Sequence, residues 1–373
     1  MLVFGAQLRL NGRGSTAANV VMPRVLKFPP SFAAFLILIS LTRAFAQSPP
    51  GLGIAVSGSN ASLSVTADIG SPVTIQYATT VQPGATWFTL ANSTLLSNPS
   101  SVVDPIGTIG NTRFYRAVIA VPTNMVWVPA GTFVMGSPVS EAGRGPNNET
   151  QHTVTLTKGF FMGAYPVTQG DYRSVMNSNP SYYSTNHGFT LDLNRPVEQV
   201  KWADATNYCG LFTLQERAAG RIFTNWVYRL PTESEWEYAC RAGTTTQFYY
   251  GTNLLSGMAN FDGRYEYLGT GTVFNVNGTF LNRTAPVGGY QPNARGLYDM
   301  AGNVWEWCQD WYTNYPAGTV VDPQGPSAGT QRVFRGGSLN ATGAACRSAS
   351  RDKTDPSTAV NTIGFRVVLA VGP

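Results

Sequence analysis

Apolar and polar positions alternate from residue 54 onward. In Val73-Thr74-Ile75-Gln76-Tyr77 the odd positions are apolar and the even ones polar, the period of a strand with one buried face. Similar short runs occur at Ile54–Ser57, Ser62–Ala67, Trp87–Leu90 and Phe114–Val121. Gly, Pro, Asn and Asp separate them, so residues 48–122 predict a small antiparallel β-sandwich. Nothing in it has catalytic character, and a spacer or adhesion module is the expected role.

The texture changes at Pro122 and Thr123. Val126 to Gly136 reads as strand, turn and strand, residues 138–150 as a loop, and Thr153–Leu156 and Phe160–Met162 as strands. Three stretches switch to the helical period. Thr168 caps the first, which places Tyr172, Val175 and Met176 on one face. The second runs from about Ala203 to Ala219, with Ala205, Tyr208, Cys209 and Phe212 at i, i+3, i+4 and i+7 and Gly220 at its end. The third opens with a capping box, Thr232 and Glu235, turns Trp236 and Ala239 inward, and stops at Gly243. Val333–Arg335 and Gly364–Leu369 predict closing strands, with Gly-rich loops between.

One stretch fits neither period. Gly296 to Trp311, GLYDMAGNVWEWCQDW, packs three Trp, one Tyr and three carboxylates into sixteen residues. Gly296, Gly302 and Asn303 interrupt any regular pattern, which predicts a packed loop. Buried carboxylates need a cation or several donors. A loop folded around calcium satisfies this, with Asp299, Glu306 and backbone carbonyls near Gly302 and Val304 as hard oxygen ligands. The alternative is a Trp-filled core with solvated acids.

Charge changes the picture only at the start. The chain has 373 residues, 25 Lys plus Arg and 20 Asp plus Glu. Residues 1–46 hold five of the basic residues and no acid, so 25 − 5 = 20 remain against 20, a net charge of zero. A nucleic-acid footprint needs a clustered basic surface and is not expected. Residues 1–46 read as an export signal, with Arg24 and Lys27 as the basic start, Phe32–Leu41 as the apolar run and Ala44-Phe45-Ala46 as the cleavage site. The apolar run is too short to span a bilayer, so no transmembrane segment is expected in the mature chain. Export implies a periplasmic, extracellular or secretory location. There Cys209, Cys240, Cys308 and Cys346 can form two bridges or stay as buried free thiols. His152 and His187 are expected at the surface.

Several blocks together resemble the formylglycine-generating enzyme, or sulfatase-modifying factor, family over residues 125–370. They are Met125 to Gly136, Tyr165-Pro166-Val167-Thr168, Pro196 to Val200, Arg229 to Tyr238, Gly302 to Trp307, Arg335-Gly336-Gly337-Ser338 and Gly364-Phe365-Arg366, in the family's order. The resemblance implies an α+β, C-type-lectin-like fold with little regular secondary structure. It implies a structural calcium held by Asp299, Gly302, Val304 and Glu306, and a second site beginning at Asn260 and Phe261. It places Ser338 and Trp305 along the active-site groove. Active members oxidise a substrate cysteine with copper held between two cysteines five apart. In this chain the first position is Ala341 and Cys346 stands at the spacing of the second. One thiolate cannot form a two-thiolate clamp for a soft monovalent ion. The expectation is therefore a diverged member that binds a polypeptide or small molecule near Trp305 and Ser338. The alternatives are an active copper oxidase acting on a sulfatase cysteine, with Cys346 and Cys308 as thiols, or a periplasmic natural-product tailoring oxidase.

Overall fold

A computed structural model describes residues 36–37, 51–57, 60–66, 72–78, 86–94, 100–105, 114–119, 122–145 and 148–372. The N-terminal strands form two sheets. Gly51–Ser57, Asn60–Thr66 and Ser100–Pro105 make one antiparallel sheet. Pro72–Ala78 lies between Phe88–Thr94 and Phe114–Ile119 in the other. The alternation read at Val73 and Ile75 holds, since both are buried and Thr74 and Gln76 are not. Ser100–Pro105 gave no sequence signal, because Ser, Asp and Pro hide its Val-Val centre. Two residues of the segment assigned to export, Leu36–Ile37, pair in parallel with Phe114 and Tyr115. The rest of that segment lies outside the described residues.

From Met125 onward the chain uses short sheets joined by long loops. One sheet has the order Trp226–Arg229, Val368–Val371, Phe160–Gly163, Met125–Val128, all antiparallel. A second has the order Arg351–Thr354, Arg332–Arg335, Trp305–Trp311, Ile363–Gly364. Met125–Val128 and Gly131–Met135 are strands as expected, but they enter different sheets: the first pairs with Phe160–Gly163, the second with His152–Leu156. The C-terminal strand breaks at Phe365–Val367, because Phe365 and Arg366 turn into the core there.

All three helices are present: α1, Gln169–Met176; α2, Trp202–Ala218; and α3, Glu233–Arg241. Thr168 and Thr232 close capping boxes with Asp171 and Glu235, satisfying backbone donors that a helix start leaves free. Every residue of α3 is buried, so it is a core element rather than an amphipathic surface helix.

The central stretch departs from expectation. Trp305–Trp311 is a strand, and only residues 296–304 are loop. Trp236 and Arg366 cover Glu306 on one face and the Val200 segment covers Trp307 on the other, which erases the alternation a one-sided strand would show.

Candidate functional site

Gly302 is the pivot of the loop that precedes this strand. Its φ of 79° is left-handed, and a Cβ there would lie 2.4 Å from the carbonyl oxygen of Asn260. Only glycine allows that approach. It lets Asn303 donate its backbone N–H to Asn260 O at 2.7 Å. The Asn303 side chain then ties Asn260 Nδ2, Ala285 N and Ala285 O together. The structure therefore brings the Asn260 and Gly302 segments side by side.

Glu306 is buried and fully engaged. Arg366 donates Nε to its Oε2 at 2.6 Å and Nη2 to its Oε1 at 2.7 Å, and Trp236 Nε1 reaches Oε2 at 2.6 Å. Arg366 was quoted as part of a motif, but its clamping role was not foreseen. The spacing from 306 to 366 carries no local signal. Asp299 is also buried and accepts from Gly288 N at 2.8 Å. Burial pushes its carboxyl up to about 6. Two carboxylates thus face one guanidinium, which leaves a negative charge for a cation to offset. Beside them the Asn260 side-chain oxygen and the Thr284 hydroxyl are buried with no hydrogen-bond partner. Hard oxygens with unmet acceptor capacity suit calcium. Among the described residues no group of three or more His, Cys, Asp or Glu side chains gathers to hold a metal, so a cation at this loop would rest on Asp299 and backbone carbonyls, and one at the neighbouring segment on the Asn260 side-chain oxygen. Glu306 has both oxygens shared with Arg366.

The third carboxylate, Asp310, serves α3. Its Oδ2 accepts from the Glu233 N–H at 2.7 Å, at the first residue of the helix. Burial raises it to about 7, and the charge of Glu233 adds to the shift.

The cysteines are all free and all buried, so the possible bridges are replaced by isolated thiols. Cys240 faces Met300 O and Ser348 Oγ, Cys308 faces Glu306 O, and Cys346 packs in a separate apolar cluster with Phe248 and Phe261. Cys308 does not pair with Cys346. Burial pushes the Cys346 thiol up to about 12, although backbone donors from Gly302 and Ser338 lower it. Ala341 packs against the same cluster where a second sulfur would be needed. One buried thiol and a methyl group do not fit a two-thiolate copper clamp. Gly337 is held at φ +77°, and a Cβ there would meet Cys346 Sγ at 2.4 Å, so the thiol is walled in by the Gly-Gly turn.

Ser338 has no exposed surface, and its hydroxyl bonds Asn340 Oδ1 at 2.9 Å. Trp305 is half-buried with its ring edge on Phe334. His187 is exposed, but His152 is buried against Tyr315, which corrects its surface assignment.

Arginine–carboxylate pairs join the loops. Arg335 and Arg351 both hold Glu233, Arg335 and Arg241 share Glu237, and Arg347 bridges Glu141 and Glu149. Fold and site together define a loop-dominated domain of short sheets, pinned by buried guanidinium–carboxylate pairs around a Trp-rich central strand. Residues 116–371 match the family described as the sulfatase-modifying factor enzyme 1-like domain, and the chain belongs to it. It is 40% identical over 183 residues to the formylglycine-generating enzyme of Streptomyces coelicolor, covering 46% of this chain and 52% of that protein. The chain therefore spans about half the length of that relative. Among solved structures it is similar to Treponema denticola variable protein 1, with a TM-score of 0.53, 25% identity and coverage of 71% and 97%. It is also similar to PvdO from Pseudomonas aeruginosa, with a TM-score of 0.53, 28% identity and coverage of 66% and 94%.

Proposed function

We propose that this chain is an exported, diverged member of the formylglycine-generating enzyme family that binds a ligand and does not oxidise a cysteine. One observation carries the reading: Cys346 is buried in an apolar cluster, and Ala341, where a second cysteine would be needed, packs against that same cluster. A soft monovalent ion needs a second thiolate to close a two-coordinate clamp, and Ala341 supplies none. The ligand is a polypeptide or small molecule held near the half-buried Trp305 on a C-type-lectin-like framework, with Ser338, fully buried and bonded to Asn340, supporting the turn beneath rather than touching it. Structural calcium sits at Asp299, Gly302 and Val304 beside Glu306, with a second ion at Asn260 and Phe261. The basic start and apolar run of residues 1–46 support export, and the N-terminal strands act as a sandwich-like spacer.

The test is incubation of the purified chain with a sulfatase-derived cysteine peptide, copper and oxygen, with the product read by aldehyde capture and mass spectrometry. No aldehyde above the enzyme-free control is expected. Robust aldehyde formation would refute the binding reading.

A further inference from the structure

A cavity of about 630 Å³ opens on another part of the domain, between α2, Trp226–Arg229 and the Arg332 end of the central sheet. Trp202 and Thr206 stand one turn apart on α2 and line one wall. Gln309 and Trp311 project from the same face of the central strand. Trp311 is paired with Arg332 across the sheet, and Arg332 stands four residues before Gly336, the start of the Gly-Gly turn that encloses Cys346.

Arg332 is held in an unusual way. Its guanidinium lies 3.7 Å from the ring centre of Trp202 and 3.5 Å from that of Trp311, so an indole covers each face. Nη1 donates to Gln309 O. Among the described residues it makes no ion pair, although the charge of Asp310 acts on it, and its Nε is buried with no partner. Arg229, on the same cavity wall, is by contrast held by Glu235 at 2.6 Å. Stacking fixes the plane of the Arg332 group and leaves only its N–H edge to meet a ligand. That edge is the geometry that recognises a carboxylate. The remaining lining mixes apolar residues, Leu230 and Pro326 among them, with neutral polar groups: the carboxamides of Gln309 and Gln324, 3.3 Å apart, and the Thr206 hydroxyl.

We propose that this cavity binds an organic carboxylate, with the carboxylate on the Arg332 edge and a hydroxyl- or amide-bearing body against Gln309, Gln324 and Thr206. A uronic acid and a peptide C-terminus both present that chemistry. The site stands whether or not Cys346 proves inert, because it shares no residue with that position.

Titration calorimetry of the full chain with glucuronate, acetyl-diglycine, glucose and inorganic sulfate distinguishes the sources. At least one of the two carboxylates should bind ten times more tightly than glucose or sulfate. Arg332→Gln should weaken it at least tenfold. Thr206→Trp, which fills the cavity without touching the cation, should do the same, and it decides the matter alone if Arg332→Gln unfolds. Equal binding of glucose, equal binding of sulfate, no saturable binding of either carboxylate, or unchanged affinity in Thr206→Trp would overturn the proposal.

Discussion

At the scale of single residues, Asp310 shows how function and stability pull on one carboxylate. It accepts the first N–H of α3, yet burial raises it to about 7, with the charge of Glu233 adding to the shift. The unfolded value is near 3.9. A carboxyl raised on folding contributes stability that is complete below the unfolded value and is lost as pH rises through the folded one. Asp310→Asn keeps an oxygen for the helix N–H and removes the titration. Relative to the parent chain it should gain on the order of 4 kcal/mol between pH 4 and pH 8. Melting curves at the two pH values check this, and an identical offset at both would contradict it. The sequence showed Asp310 as one of three acids in a Trp-rich stretch. It did not show its partner, which lies 77 residues away. Arg366 escaped assignment for the same reason. By contrast Thr232 and Glu235 were readable, because a capping box is closed within one helical turn.

At the scale of elements, legibility follows how local the cause is. The three helices were readable from caps and period. The central strand was not, because Trp236 and Arg366 on one face and the Val200 segment on the other bury both of its faces. The strand at Ser100–Pro105 and the break at Phe365 were likewise decided by partners distant in sequence. The loop from Gly296 to Val304 was correctly read as irregular. Its buried Asp299, with Glu306 just beyond it on the strand, against one guanidinium gives the calcium proposal its measurable form. Calcium at a hundredfold excess over Kd should stabilise the chain by about 2.7 kcal/mol over chelator-treated protein, read as a higher melting temperature. Asp299→Asn should remove that rise. No rise in the parent chain, or an undiminished rise in the variant, would count against calcium at this loop.

At the scale of the molecule, the family framework is kept by buried charge pairs that tie the loops to α3. Glu233 and Glu237 on that one helix receive Arg241, Arg335 and Arg351. Breaking one such pair by removing a single partner typically costs about 3–5 kcal/mol, so the framework resists piecemeal loss. The copper position is under no such constraint: a methyl at Ala341 packs where a sulfur would serve chemistry only. The sequence showed that substitution directly. It left open whether Cys308 or a bridge would complete the site, since thiol contacts depend on the folded arrangement. The most direct measurement is competition for cuprous ion between the purified, reduced native chain and a colorimetric chelator. The account predicts that the chain takes no stoichiometric copper from the chelator. One copper per chain, retained through sulfur ligands in the native state, would contradict it.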